Sequence, residues 1–285
     1  MENILKGDMT LTKVFNNNIV LVKSGGKEKI LFAKGIGFGK KFGNIIKKGT
    51  EVDKIFIIED ENNIENFQKM MGRVDDEFLG ICEELIFDIS ESLGEELSEN
   101  IHIGLIDHLS FAVKRLENDE EIQNPFIVEI ETLYPREYEL ARNAAKRLSE
   151  KIGVDIPDGE IGFITLHIHS ARNNGKLSNT IKYSYLSNTI VEYVEDALNI
   201  EISRKSLDYA RFLTHIRFAI ERIMTKSPIE NDLISVIRIR YKKSYKIAIK
   251  IGKILEEELD TKIVEDEIAY LAMHIERFRV SVEPK

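Results

Sequence analysis

The chain has 285 residues, of which 43% are hydrophobic and 31% charged, and its formal net charge is −9. This length predicts about two domains, or three if one is small, and the apolar content is enough for ordinary folded cores. The single cysteine, Cys82, excludes an internal disulfide framework, and no run approaches the ~18 apolar residues that a membrane-spanning helix needs. Because the N-terminus also lacks the pattern of a secretory signal, the sequence predicts a cytoplasmic protein.

The charge is distributed unevenly. Residues 1–60 contain 11 lysines and 7 acidic residues, a balance of +4, so the rest of the chain carries −13. Between Lys13 and Lys48 there are nine lysines and one acid, Glu28. A basic head on an acidic body indicates a site for a polyanion, although a solvated lysine-rich surface accounts for the charge equally well.

The head is predicted to be a small all-β domain. Asn16–Asn18 suits a tight turn because asparagine tolerates the left-handed region, and Ser24–Lys27 predicts a hairpin turn. So small a core is marginal alone, so dimerisation would help it. Apolar and β-branched runs predict four short strands, at residues 13–15, 19–22, 29–33 and 54–58.

The segment Lys34–Lys41 has glycine at every second position. Because glycine has no side chain, this spacing predicts that one face of the backbone is bare. Ile36, Phe38 and Lys40 are predicted to alternate with the glycines along it and so to share a face.

After the polar break Glu59–Asn63, the chain is predicted to be helical to its end. Apolar residues recur every three to four positions, and Tyr134–Pro135 predicts the start of a helix. Pro157–Glu160 predicts the start of the helix that carries His167, with Asp158 as its N-cap. The run Asn173-Asn174-Gly175 predicts its end and a second domain boundary.

The helical part contains a tandem repeat. His108 and His167 stand 59 positions apart, as do His215 and His274, and the two pairs are offset by 107 positions. At the same offset Tyr134, Tyr138, Ala141 and Leu148 fall on Tyr241, Tyr245, Ala248 and Leu255. So many matches in one register indicate a duplicated domain of about a hundred residues, each copy a bundle of about five helices.

Three roles are open for the repeated histidines. They could be core residues, but packing asks only for volume and does not require imidazole at four equivalent places. They could bind a metal, but neither His102/His108 nor His167/His169 has i,i+4 spacing, and the sequence has no cysteine cluster or HExxH motif. They could accept a phosphoryl group, because imidazole is neutral and nucleophilic near pH 7, with a pKa of about 6.5.

The chain resembles the BglG/SacY/LicT family of transcriptional antiterminators over essentially its whole length. The resemblance rests on Lys13–Asn18, on Lys34–Lys41 and on the two histidine-containing helices of each repeat. Within the family it is most similar to the glucose-type members, through Gly35–Gly39, His102–Arg115 and Gly159–Ser170. The resemblance implies a co-antiterminator (CAT) RNA-binding domain at residues 1–60 and two all-α phosphotransferase regulation domains, PRD1 at 65–173 and PRD2 at 174–285.

The resemblance implies that the head dimerises and binds a hairpin in the nascent leader mRNA, which prevents an overlapping terminator from forming. Asparagine amides suit base edges, phenylalanine can stack on an unpaired base, and lysines neutralise phosphates. Lys34 stands where many relatives carry arginine, so discrimination there is expected to differ; Gly39 stands where many carry glutamine. The implied RNA-binding residues are Lys13, Asn16, Asn18, Lys34, Gly35, Phe38 and Lys40.

The resemblance also implies regulation by phosphorylation of His108 and His167 in PRD1 and of His215 and His274 in PRD2. The donors would be the EIIB part of a sugar transporter for PRD1 and HPr for PRD2, the second input being weaker in glucose-type members. The protein would be a phosphoacceptor, not an enzyme, with no cofactor and no catalytic or metal-binding residues. No further sequence follows residue 285, so a larger DNA-binding activator is not expected.

Two other functions stay open on the sequence alone. A metal-dependent helical phosphohydrolase would hold a divalent ion between His108 and His167. A β-headed helical adaptor would have no role with nucleic acid, and its residues 1–60 would not bind RNA.

Overall fold

A computed structural model of the chain describes residues 3–173, 175–227 and 229–282. The chain forms two compact units, one of Met1–Asn124 and Arg136–Lys176, the other of Pro125–Pro135 and Leu177–Lys285. The predicted break at Asn173–Gly175 includes Asn174, which lies outside the described residues.

The first unit begins with an antiparallel β-domain. Its strands are β1 (Asn3–Ile4), β2 (Met9–Val14), β3 (Ile19–Ser24), β4 (Lys27–Phe32), β5 (Ile45–Ile46), β6 (Glu51–Val52) and β7 (Lys54–Ile58). Five of them form one sheet in the order β5-β2-β3-β4-β7, and β1 pairs with β6. The four longer strands fall at the four predicted places, but β2 begins four residues before the predicted 13–15 and ends before Phe15. The three two-residue strands were not predicted, because two residues are too few to show an alternating pattern.

The β-domain has its own apolar core. Leu11, Val20, Val22 and Leu31 are buried together, and the register pairs Leu11 with Val22 and Val20 with Leu31. The two predicted turns are present, since β3 follows the asparagine turn and β4 follows Gly25–Gly26. The asparagine turn therefore connects β2 to β3 at one end of the sheet.

The rest of the chain is helical, as predicted. The helices are α1 (Glu61–Met71), α2 (Asp76–Leu93), α3 (Ile101–Leu116), α4 (Ile127–Leu133), α5 (Pro135–Ile152), α6 (Asp158–Arg172), α7 (Leu177–Leu198), α8 (Leu207–Thr225), α9 (Ile234–Arg240), α10 (Lys242–Leu259) and α11 (Glu265–Val282). A small all-β domain followed by helical repeats is thus the fold. The seven-residue α4 was not predicted, because it is too short for a helical period.

Helix ends follow local chemistry. The Asp75 side chain caps α2 by accepting from the backbone N–H groups of Glu77 and Phe78. The predicted cap of α6 is wrong: Pro157 is the N-cap, and Asp158 is the first helical residue without a side-chain capping bond. Its carboxylate still lies in the first turn, where the helix dipole favours negative charge.

The second unit contains α4 and α7 to α11 around one core. Tyr209, Ile216, Leu255 and Ile275 are among its fully buried side chains. Helix α4 packs against α7 and α8, and the hydroxyl of Tyr209 donates to the carboxylate of Glu129 at 2.6 Å. The short helix α4 lies in the first repeat in sequence but is therefore part of the second unit.

Candidate functional site

Two turns of the β-domain are joined through the asparagine run. The backbone N–H of Asn18 donates to Oδ1 of Asn16 at 2.8 Å, and Oδ1 of Asn18 accepts from the N–H of Gly35 at 3.0 Å. The N–H of Gly37 donates to the carbonyl of Asn17 at 2.9 Å. The two sequence segments singled out in the head therefore form one surface.

Glycine at position 37 is required for this contact. A Cβ atom there would lie 2.3 Å from the backbone oxygen of Asn16, closer than any real Cβ approaches another atom. Any other residue would push the two turns apart.

The segment after β4 is a series of turns, so the predicted common face is wrong. The N–H groups of Ile36 and Phe38 donate to the carbonyls three residues earlier, and the chain coils. As a result Ile36 is buried, whereas the Phe38 side chain is 75% exposed. A large apolar ring exposed beside Lys34 and Lys40 is free to stack on a ligand. Phe42, which follows on the same series of turns, is 80% exposed and is not among the predicted RNA-binding residues.

Two of the predicted RNA-binding residues have acidic partners on α2. Nζ of Lys13 lies 2.6 Å from Oδ1 of Asp76, and Nδ2 of Asn16 donates to Oε1 of Glu84 at 2.9 Å. Lys34, Gly35, Phe38 and Asn18 are exposed. The predicted RNA surface is thus partly covered by a helix of the same unit.

The predicted phosphoacceptors of the first repeat face each other across α3 and α6. The ring centroids of His108 and His167 are 5.2 Å apart. Nε2 of His108 lies 2.9 Å from Oε2 of Glu160, whose other oxygen accepts from Arg115 at 2.6 Å. Glu160 is fully buried; burial raises its pKa, but His108 and Arg115 outweigh that effect and lower it.

His167 is held in its neutral form. Burial, reinforced by the neighbouring His108, lowers its pKa from 6.5 to about 3. A neutral ring keeps a lone pair on nitrogen, which a phosphoryl acceptor needs.

The second repeat brings the same pair closer. The rings of His215 and His274 stack with centroids 3.7 Å apart, on α8 and α11. Burial and the nearby cations lower the pKa of His215, and burial, His215 and Arg277 lower that of His274 to about 4. Both rings are therefore neutral near pH 7.

The two repeats differ in what holds the first histidine. In the second repeat, Nε and Nη2 of Arg222 both donate to Glu267 at 2.7 Å, and Nδ1 of His215 is 3.0 Å from the hydroxyl of Tyr270. The first repeat has Phe163 at the position of Tyr270, so no hydroxyl is available, and His108 faces the carboxylate instead.

The glutamate and arginine of each site were not predicted as functional residues. Glu160 and Glu267, like Arg115 and Arg222, recur at the offset of 107 positions that relates the histidines. Their recurrence at this offset was the signal that could have identified them. Charged residues on helices usually face solvent, however, and only the packing of the helices places these beside the histidines.

The two histidines that do not repeat form structural pairs. His102 and Glu83 are fully buried, with Nδ1 2.8 Å from Oε2. His169 lies 2.9 Å from Glu137, which also accepts from Arg172 at 2.7 Å. In the second repeat Tyr209 and Glu276 occupy the equivalent positions.

Among the described residues, no group of three or more His, Cys, Asp or Glu is arranged to hold a metal ion. In the same residues, no helix is long and apolar enough to cross a membrane.

Two family models match the chain. The family model described as "CAT RNA binding domain" matches residues 9–65, and the one described as "PRD domain" matches residues 83–171 and 188–278.

Curated relatives match over nearly their whole length. The "PtsGHI operon antiterminator" of Bacillus subtilis is 40% identical over 278 residues, 96% of this chain and 98% of the relative. "Protein GlcT" of Staphylococcus saprophyticus is 33% identical, over 95% and 97%. "Transcription antiterminator LicT" of Bacillus subtilis is 31% identical, over 94% and 98%. The crystal structure of GlcT CAT-PRDI matches 59% of this chain and all of its own, with 42% identity and a TM-score of 0.51.

A β-domain with two joined turns is followed by two helical repeats, each with a pair of facing histidines. This is the architecture of a nucleic-acid-binding regulator that is controlled by its own phosphorylation. The chain belongs to the family of transcription antiterminators that combine a CAT RNA-binding domain with PRD domains, and it is most similar to the glucose-type members. Its relatives are regulators and not enzymes, and nothing in the comparisons favours a phosphohydrolase.

Proposed function

We propose that this chain is a sugar-responsive antiterminator that binds a hairpin in a nascent leader mRNA and so prevents formation of an overlapping terminator. The observation that carries the proposal is the junction of the asparagine turn and the Lys34–Lys41 turns into one surface, with Phe38 exposed. An exposed ring among lysines and amides is suited to unpaired bases and phosphates of RNA.

The contact residues in this proposal are Lys13, Asn16, Asn18, Lys34, Gly35, Phe38 and Lys40. Asn18 has two roles in this proposal. Its Oδ1 accepts a hydrogen bond from the N–H of Gly35, and its amide nitrogen donates to RNA. The proposed domains are residues 1–60, 65–173 and 174–285, in a cytoplasmic homodimer.

The proposed input is phosphorylation of His108 and His167 by the EIIB part of a sugar transporter, and of His215 and His274 by HPr. The four rings lie in two facing pairs. The pKa is lowered for His167, His215 and His274, and this supports a role as neutral phosphoryl acceptors. Phosphorylation would add a charge of about −2 beside Glu160 or beside the stacked partner ring. The proposed targets of control are glucose phosphotransferase genes.

A terminator read-through assay tests the proposal. The template would carry the leader that precedes the sugar phosphotransferase gene adjacent to this chain's own gene, and full-length chain would be added during transcription. We expect read-through to rise with the chain and to be lost when the hairpin sequence is scrambled. Absence of any effect, together with no binding to the hairpin in a gel shift, would favour the adaptor function.

Metal analysis separates the proposal from the phosphohydrolase. A stoichiometric divalent ion in the purified chain that is lost in both His108→Ala and His167→Ala variants would contradict the proposal.

A further inference from the structure

Helix α2 presents a regular acidic face to the β-domain. Asp76, Gly80, Glu84 and Asp88 are spaced by four residues, so they lie along one side of the helix. Asp76 contacts Lys13 at 2.6 Å, and Glu84 accepts from Asn16 at 2.9 Å. The acids of this face thus meet two residues that the proposed function assigns to RNA.

Gly80 lets the two surfaces approach. A Cβ atom at position 80 would lie 2.9 Å from Nδ2 of Asn16 and 3.3 Å from its Cβ. The Asn16 side chain therefore sits directly on the helix backbone, one turn before Glu84. A larger residue at position 80 would keep the amide from reaching the carboxylate.

The remaining acid of this face, Asp88, pairs with Arg147 of α5 and lines a cavity that it shares with the other turn. A cavity of ≈ 280 Å³ is lined by Asn18 and Lys34 of the β-domain and by Glu84 and Asp88 of α2. Phe87 of α2 stacks on Phe32 with ring centroids 5.0 Å apart, and Lys54 lies 3.5 Å from Glu91. These two contacts hold α2 against strands β4 and β7.

In these contacts, carboxylates of α2 take the places that groups of RNA would take. A carboxylate beside Lys13 occupies the position of a phosphate, and a carboxylate oxygen on the Asn16 amide occupies the position of a base or phosphate acceptor. Nζ of Lys13 also donates to the carbonyl of Met71 at 3.4 Å, so two of its three N–H groups have partners, and the amide N–H of Asn16 that Glu84 accepts is taken from RNA.

We propose that the acidic face of α2, formed by Asp76, Gly80, Glu84 and Asp88, is an internal competitor that must leave Lys13 and Asn16 before RNA can occupy them. This inference rests on the proposed RNA-binding function and adds the means by which PRD1 controls it. The buried bond between His102 and Glu83 joins α2 to α3, which carries His108, so α2 is mechanically connected to the phosphoacceptor helix.

The test compares RNA affinities of full-length variants. The probe is a stem-loop RNA selected from a random pool for binding to the wild-type chain and counter-selected against Phe38→Ala. For Asp76→Asn/Glu84→Gln we expect binding about three- to tenfold tighter than wild type, because two partly exposed contacts that oppose RNA are weakened.

A matched control separates competition from a general effect of charge. Glu77→Gln removes one negative charge from the position of α2 next to Asp76, where Glu77 is exposed, and is compared with Asp76→Asn alone as well as with the double variant. We expect its affinity to equal that of the wild type. If Glu77→Gln tightens binding as much as the double variant does, the inference is overturned.

A disulfide provides the opposite change. Asn16→Cys/Gly80→Cys places two Cβ atoms about 3.3 Å apart, near the ~3.5–4.5 Å that disulfides require. We expect the oxidised form to bind the RNA at least about tenfold more weakly than the same protein after reduction. Equal and measurable binding in the two redox states would overturn the inference even if the charge variants failed to fold.

Two different outcomes would refute competition by α2 and RNA binding itself. If the wild type binds the selected RNA and neither the double variant nor the disulfide changes its affinity, only the competition is refuted. If the selection yields no RNA that depends on Phe38, RNA binding itself fails, and the inference fails with it.

Discussion

Nε2 of His108 lies 2.9 Å from the buried carboxylate of Glu160, and this carboxylate is the one that Arg115 also contacts. A phosphoryl group on His108 would bring a charge of about −2 next to Glu160, where burial leaves little solvent to screen the repulsion. The pair is therefore a point at which phosphorylation can force α3 and α6 into a new arrangement.

Loss of the acceptor should remove sugar control. We expect His108→Ala to give antitermination that is independent of sugar, because EIIB can no longer phosphorylate this site and so cannot switch the chain off when sugar is absent. The measurement is a reporter gene behind the leader, in cells grown with and without the sugar. Continued control by sugar in this variant would show that His108 is not the decisive acceptor.

The negative charge should act through Glu160. We expect His108→Asp to lower reporter expression, and Glu160→Gln in the same chain to restore part of it, since the repulsion then lacks one partner. Glu139→Gln, at an exposed glutamate of α5, is the control and should restore nothing. An equal effect of the two substitutions would exclude a local repulsion.

Phe38 should contribute to RNA binding without contributing to stability. Its ring is 75% exposed, and stacking on a base is worth about 1–3 kcal/mol. We therefore expect Phe38→Ala to weaken binding of the leader hairpin by about tenfold or more with an unchanged melting temperature. Phe111→Ala, at a ring of α3 that is 50% exposed, is the control. Wild-type affinity in Phe38→Ala would remove this residue from the site.

Glu137 should make stability depend on pH. Burial raises its pKa, but His169 and Arg172 outweigh that effect and lower it from 4.5 to about 2. A lowered pKa stabilises the fold above about 4.5, and this contribution, of about 3 kcal/mol, is lost as the pH falls towards 2. We expect Glu137→Gln to be less stable than wild type at pH 7 and to approach it at pH 3, in calorimetric unfolding. A difference that does not shrink at pH 3 would contradict this cause.

Arg277 should help to keep the second histidine pair neutral. Burial, His215 and Arg277 together lower the pKa of His274 to about 4. Removing one cation reduces the cost of protonation, so we expect Arg277→Gln to raise the pKa of both His274 and His215, measured by NMR titration of the ring protons. Arg240→Gln, at an exposed residue of α9, should leave both unchanged. Unshifted titrations in Arg277→Gln would assign the lowered pKa values to burial, His215 and Arg222 without Arg277.

The sequence by itself determined the β-domain, the helical repeat and the four histidines at equivalent positions, because each is recorded in a local pattern or in a fixed offset between copies. Tertiary structure decided which groups surround them. Glu160 faces His108, whereas its equivalent Glu267 is held by Arg222 and leaves His215 to Tyr270. Asn16 and Glu84 are 68 positions apart, and no periodicity relates a turn of one domain to a helix face of the next. Such contacts depend on how the elements pack, and packing is a property of the whole unit.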